Sequence, residues 1–320
     1  MKILANDGIS QSGIDTLREA GFETLNVHVA QEQLNNYIND QKVDVLLVRS
    51  ATKVSKDLID NCPTLKIIGR GGVGMDNIDV EYALKNNIKV INTPTSSAAS
   101  VAELVLAHLL TGVRFLHDSN RNMPLEGESR FKELKKKYSA GRELRGKTLG
   151  IIGFGKIGRE VAKMALGCGM NVIASDQESG KADIKLSFFD GQSITLEIRT
   201  EPVEKLLKKS DFISLHVPAQ SGYLIGKDEI ARMKDGVGIV NTSRGGVLNE
   251  VALLNAIESG KVSFAALDVF EDEPSPSVQI LMNENVSLSP HIGGSTLEAQ
   301  DRIGKELAEQ IIEIFKAEKI

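Results

Sequence analysis

Hydrophobic and polar positions over the first ninety residues switch between two periods. The runs KILAND, ETLNV, VDVLLVR, LKIIG and IKVINT are short and apolar and read as strands. Between them GIDTLREAG, EQLNNYIND, KDLIDNC and VEYALKNN place apolar residues three and four apart, the spacing of one helix face. A βαβα order predicts a parallel sheet covered by helices, because parallel neighbours need a crossover and the crossover helix lies on the sheet. A longer helical run follows, SVAELVLAHLLTGVRFLHDS, with Ser100 as its expected N-cap and Glu103 three positions on. After the basic stretch FKELKKKY a second series begins: KTLGIIG, REVAKMALG, NVIASD, PVEKLLKKSD, FISLHV, GVGIVNT, EVALLNAIES, SFAALDVF and NVSLSP. The chain closes on the helical pattern TLEAQDRIGKELAEQIIEIFKAE. The pattern therefore predicts an α/β protein with two doubly wound parallel-sheet domains, long helices lying where one gives way to the other.

Length and composition agree with two globular domains, at 320 residues with 41% apolar and 25% charged positions. The N-terminus MKILANDGIS lacks the apolar core of a signal peptide and no apolar run reaches membrane length, so a cytoplasmic protein with no membrane partner is expected. A net charge of −5 provides no basic excess for nucleic acid. The two cysteines, Cys62 and Cys168, are too few for a disulfide framework or a zinc site, and buried reduced thiols are expected, with no metal.

Two stretches carry G-x-G-x-x-G, GRGGVG at 69–74 and GFGKIG at 153–158. With 29 glycines in 320 residues chance supplies about 0.23 such spacings per chain, so context must choose. A pyrophosphate sits on free N–H groups at a helix N-terminus. GFGKIG (Gly153, Phe154, Gly155, Lys156, Ile157, Gly158) opens an amphipathic helix, and the next strand ends in Asp176, 18 positions past Gly158. An acid at that distance accepts the ribose hydroxyls of NAD and repels the 2′-phosphate of NADP. GRGGVG instead runs into MDNID, with Asp76 and Asp79 where phosphate charge would lie, and its next strand ends in Asn92 and Thr93. Its glycines suit a close backbone approach to something small, with Arg70 supplying charge; a tight turn without any ligand has the same sequence.

Of five histidines, His28, His108 and His117 suit packing or surface roles, while His216 and His291 each follow a strand of the second unit. Arg244 and Glu273 also follow strands there, so four polar groups come from the carboxyl ends of strands, where such sheets bind ligands. The types fit hydride transfer between a 2-hydroxy acid and nicotinamide. Arg244 is cast as the clamp on a carboxylate, His291 as the base on the hydroxyl and Glu273 as the partner that orients the imidazole. One by one, a surface Arg, Glu and His carry the same signal; the combination points to the chemistry. No G-x-S-x-G elbow suggests hydrolysis.

The set GFGKIG, Asp176, HVP, NTSRGG, LDVFEDEP and SPHIGGST, in this order and spacing, closely resembles the D-isomer-specific 2-hydroxyacid dehydrogenases over nearly the whole chain. The resemblance implies a Rossmann NAD-binding domain, residues 99–291, inserted into a flavodoxin-like substrate domain, residues 1–98 and 292–320. It implies that Arg244, Glu273 and His291 are the catalytic set and that His216, Val217 and Pro218 line the cofactor cleft. Thr242, Ser243, Asp268, Gly293 and Gly294 complete that site, Asp268 near the nicotinamide amide. Within the family, RSATKVSKDLI and GRGGVGMDNID are most similar to the branch that oxidises D-3-phosphoglycerate to 3-phosphohydroxypyruvate, the first step of serine biosynthesis. In that branch positions matching Arg49 and Arg70 bind the substrate phosphate, and the loop matching Gly71, Gly72, Val73 and Gly74 binds the carboxylate, with Ser50 beside it. The resemblance further implies a homodimer through the NAD-binding domain and, since the sequence stops at Ile320, a short form without a regulatory extension. Hydroxypyruvate, glyoxylate or another short 2-keto acid is the alternative substrate, and a non-enzymatic NAD-sensing protein the alternative class.

Two features depart from the family pattern. IKLSFFDGQSITLEI reads as an added hairpin turning at Asp190-Gly191, expected as an exposed ornament near the adenosine end of the cofactor. The region of LKKKY lacks a Trp common in relatives, and Lys135, Lys136 and Lys137 read as a solvated charge run.

Overall fold

All five apolar runs of the first ninety residues are strands in the computed structural model, which describes residues 1–178 and 180–317. The chain divides into two units, Met1–Ala98 with Gly294–Ile320, and Ala99–Gly293. In the first, β1 (Lys2–Ala5), α1 (Gln11–Glu19), β2 (Glu23–Leu25), α2 (Gln31–Gln41), β3 (Val45–Val48), α3 (Lys56–Asn61), β4 (Ile67–Arg70), α4 (Val80–Lys85) and β5 (Lys89–Asn92) follow in turn. The sheet is parallel in the order β2-β1-β3-β4-β5, the flavodoxin-like winding. Every residue of β3 (VLLV) is buried, because helices cover both faces. The closing helix, Leu297–Ala317, covers one of them: its Ile303, Leu307, Ile311 and Phe315 pack with Ile3, Val45, Leu47 and Ile67. Each such side chain removed from water contributes roughly 1.5–3 kcal/mol.

The second unit holds α5 (Ala98–Val113, from Ala99), α6 (Leu116–Lys137), β6 (Thr148–Ile152), α7 (Lys156–Gly167), β7 (Asn171–Ser175), β8 (Lys181–Ser187), β9 (Ser193–Arg199), α8 (Val203–Lys209), β10 (Phe212–Leu215), α9 (Lys227–Arg232), β11 (Val237–Asn241), α10 (Glu250–Glu258), β12 (Val262–Leu267), α11 (Val278–Leu281) and β13 (Val286–Leu288). Its parallel sheet runs β13-β12-β11-β10-β6-β7. Beyond β7 a parallel bridge, Ala174 with Thr200, continues the edge, and the antiparallel hairpin β8–β9 lies between these two residues in the chain.

Four expectations change. The run from Ser100 to the basic stretch is two helices, because Phe115 turns left-handed at φ 56 between them. Ser100 lies inside α5 and is not its N-cap; its hydroxyl donates to the Gly293 carbonyl at 2.6 Å. The basic stretch is the end of α6, where cations suit the dipole; Lys135, Lys136 and Lys137 are exposed, as a solvated charge run should be, and Lys137 pairs with Asp118 at 2.8 Å and Glu284 at 3.1 Å. The hairpin is exposed only at its outer face and tip: Ala182 and Ile184 are buried with Val161, Ala162 and Ala165 of α7. Cys62 is buried, which together with the nearby Asp57 charge pushes its thiol up to about 11, whereas Cys168 is half-buried. Among the described residues no single helix is long and apolar enough to cross a membrane.

Candidate active site

The second glycine motif forms the turn from β6 into α7, and the helix already begins at Lys156, inside the motif. Gly153 sits at φ 92 and donates its N–H to the Ser175 carbonyl at 2.9 Å; a Cβ there would overlap the His216 carbonyl. A Cβ on Gly158 would overlap the Gly153 carbonyl, so this glycine lets the first helical turn pack on the loop. Gly155, the N-cap, brings no side chain to the first-turn N–H groups, and the space beside its α-carbon is open. Asp176 follows β7 and braces the turn: its carboxylate accepts Phe154 N–H at 2.5 Å and Glu178 N–H at 3.2 Å.

A cavity of about 520 Å³ opens here, lined by Gly153, Gly155, Asp176, His216, Val217 and Pro218. His216 bonds Ser214 through Nε2 at 2.8 Å, and burial pulls its pKa down to about 3, so the ring is neutral. Its Nδ1 is shielded and has no hydrogen-bond partner in the structure. Free N–H groups at a helix start, open space beside the second glycine and an acid at the next strand end fit a dinucleotide with a diphosphate.

Arg244, Glu273 and His291 follow β11, β12 and β13, neighbours in the sheet. Glu273 Oε2 lies 2.8 Å from His291 Nδ1, and Oε1 accepts Phe270 N–H at 3.0 Å. A carboxylate only accepts, so Nδ1 carries the proton of the neutral ring and Nε2 is left as the base. The turn before Arg244 is shaped by Asn241, whose Oδ1 accepts Ser243 N–H at 3.1 Å and whose Nδ2 donates to the Arg244 carbonyl at 2.8 Å. Gly245, next along, lies so close to the Phe270 carbonyl that a Cβ would overlap it, which joins the Arg244 turn to the Glu273 turn. His216 stands by the glycine turn, where it lines the cavity.

Asp268 is buried and accepts Ile292 N–H at 2.9 Å, Gly293 N–H at 2.8 Å and the Ser289 hydroxyl at 2.6 Å. These bonds keep Ile292 and Gly293 in the second unit, although the sequence places the return to the first unit directly after His291. Gly294 belongs to the first unit, and Thr242, buried beside Ser243, has a hydroxyl with no partner in the structure.

In the first unit, GRGGVG leaves β4 at Arg70, and no helix starts until Val80. That distinguishes it from the turn before α7, since the N–H cluster of a helix start is missing. Gly71 N–H bonds the Val48 carbonyl at 2.8 Å, and the Asn92 amide donates to the Val73 carbonyl at 2.8 Å. The Arg70 guanidinium folds onto Gly72, where a Cβ would overlap it, and donates to the Gly71 carbonyl at 3.0 Å. Arg49 follows the adjacent strand β3. The turn of Arg49 and Ser50 is clamped by Asp7, which accepts Arg49 N–H at 2.6 Å and the Thr52 hydroxyl at 2.6 Å, and by Asn77, which donates to the Arg49 carbonyl at 2.8 Å. Asp7, Asn77 and Ser289 escaped the sequence reading because each holds a turn distant in sequence. The one available signal was that Asp7 ends the first apolar run.

A family model described as D-isomer specific 2-hydroxyacid dehydrogenase, NAD binding domain, matches residues 106–293. The chain is 44% identical over 316 residues to a hydroxypyruvate reductase of Thermotoga maritima, covering 97% of each. It is 41% identical over 320 residues to a D-3-phosphoglycerate dehydrogenase of Methanocaldococcus jannaschii, covering 99% of this chain and 58% of that longer protein. The crystal structure of NAD⁺-bound 3-phosphoglycerate dehydrogenase from Entamoeba histolytica superposes with a TM-score of 0.77 at 28% identity, covering 99% of this chain and 95% of the other.

Proposed function

Because this chain belongs to the D-isomer-specific 2-hydroxyacid dehydrogenases, a family of NAD-dependent oxidoreductases acting on small 2-hydroxy acids, we propose that it oxidises D-3-phosphoglycerate to 3-phosphohydroxypyruvate. The observation that carries the chemistry is the His291–Glu273 contact at 2.8 Å. His291 Nε2 takes the hydroxyl proton while Glu273 holds the other ring nitrogen protonated and stabilises the imidazolium that results. Arg244 grips the substrate carboxylate, so the carbon bearing hydrogen is presented in one orientation. The Gly153–Gly158 turn would hold the diphosphate of NAD and Asp176 its ribose, which would select against NADP; the cofactor would supply the hydride acceptor.

The phosphorylated substrate is favoured by Arg49 and Arg70, two cations at the ends of adjacent strands, each on a turn the chain constrains closely. This reading makes the chain the first enzyme of serine synthesis, acting as a homodimer through the NAD-binding domain. A second reading, reduction of hydroxypyruvate by the same groups, is favoured by the 44% identity to a hydroxypyruvate reductase along its whole length.

NADH absorbance followed with 3-phosphohydroxypyruvate, hydroxypyruvate and glyoxylate, with NADPH as control, separates the two. The expected result is preference for the phosphorylated acid, lost about 10- to 100-fold in Arg49→Ala and in Arg70→Ala, since a charged hydrogen bond contributes roughly 1.5–3 kcal/mol. Equal loss on hydroxypyruvate removes the phosphate role, and no turnover of any keto acid returns the reading to an NAD-binding protein.

A further inference from the structure

His108 projects from α5 into the interior of the second unit and is 5% exposed. Its Nε2 lies 2.9 Å from Ser289 Oγ and its Nδ1 lies 3.0 Å from Ser287 Oγ. The direction of this chain of bonds follows from counting protons. Asp268 is surrounded by donors, two amides and the Ser289 hydroxyl, so the single Ser289 proton points at Asp268. Ser289 Oγ then accepts, and only His108 Nε2–H can give. Burial lowers the His108 pKa, against the opposing pull of the Asp268 charge, so the ring is neutral with one proton. Nδ1 is therefore bare and takes the hydroxyl proton of Ser287. Every buried polar atom in the series is satisfied in one arrangement only.

The far end of the series holds the residues next to His291. That residue sits at φ 55, a left-handed conformation uncommon for a non-glycine residue, and the amides immediately after it are the two that Asp268 accepts. We propose that His108 and Ser289 are positioning residues for the dehydrogenation: they lock the Asp268 carboxylate onto the 292–293 backbone, which holds His291 in its left-handed turn. The proposal rests on the reading of His291 as the acid–base group.

The test compares Ser289→Ala, Ser289→Thr, His108→Leu and His108→Gln by two measurements. The first is hydrogen exchange at the Ile292 and Gly293 amides, with melting temperature as control. The second is kcat against the KM for NADH. Ser289→Ala and His108→Leu are expected to speed exchange at both amides and to lower kcat, each about tenfold, with the KM for NADH within about twofold. Ser289→Thr keeps the hydroxyl and His108→Gln keeps a donor near the Nε2 position, so both should recover exchange and kcat. Folded Ser289→Ala with wild-type exchange overturns the proposal, as does equal impairment in Ala and Thr. Wild-type protein inactive on every keto acid would remove the dehydrogenase reading. The exchange comparison does not need turnover: faster amide exchange would still support the lock, and unchanged exchange would overturn it.

Discussion

Glu273→Gln removes one charge and changes the shape of the site hardly at all, so it isolates what the carboxylate does. In the wild type both oxygens are occupied, Oε2 by His291 Nδ1 at 2.8 Å and Oε1 by Phe270 N–H at 3.0 Å. Gln has one acceptor oxygen. The Phe270 amide is on a buried residue and needs it, which turns the Gln NH₂ toward His291. A donor facing Nδ1 favours the tautomer with Nδ1 bare and the proton on Nε2, and that ring cannot accept the substrate proton. A charge-assisted hydrogen bond contributes roughly 1.5–3 kcal/mol, but these side chains are 44% and 37% exposed, so about 1 kcal/mol survives screening. The opposing amide adds roughly 0.5–1 kcal/mol, and the swing of about 1.5–2 kcal/mol corresponds to a fall of about 10- to 30-fold in kcat for oxidation. The assay is steady-state NADH production from 3-phosphoglycerate at saturating NAD, with NADH affinity measured separately by fluorescence. An unchanged affinity with the expected fall in kcat places the effect on the proton step. A Gln variant that keeps kcat within about twofold would refute the tautomer argument, whatever Glu273 contributes to folding.

Two further outcomes test other parts of the structure. Gly158→Ala puts a methyl group into the Gly153 carbonyl on the first turn of α7, so NADH affinity measured by fluorescence titration should fall at least about tenfold. Glu250 has its pKa raised by burial and by the nearby charges of Glu271 and Asp272, against the opposing pull of the Glu271 N–H that its carboxylate accepts at 2.9 Å. An acid whose folded pKa is raised contributes most stability below the ordinary carboxylate range and loses it as pH rises through the folded pKa. Glu250→Gln cannot ionise, so thermal melts should show it more stable than wild type at pH 8 and nearly equal at pH 4; the reverse order would rule out the burial penalty.

The two doubly wound units, the glycine turn that opens α7 and the acid that braces it were legible in the sequence because each rests on short-range constraints. A strand period of two, a helix period of 3.6 and a glycine turn with an acid one strand later are properties of neighbouring residues, and little in a distant part of the chain can overrule them. Choosing between two identical glycine spacings already leaned on the residues C-terminal to each, and the structure adds a further difference: α7 begins at Lys156 inside one motif, whereas Val80 opens the first helix after the other. Where packing decides, local pattern was blind. The helix break at Phe115 and the half-buried hairpin depend on what lies beneath them. His108 looked like a residue for packing, yet its hydrogen-bond partner Ser289 is 181 positions away, and Asp268 and the 292–293 turn join it only once β12, β13 and α5 are assembled. Distances along the chain of that size leave no periodicity to read, because the bond between two such residues is set by the tertiary fold that closes the loop between them.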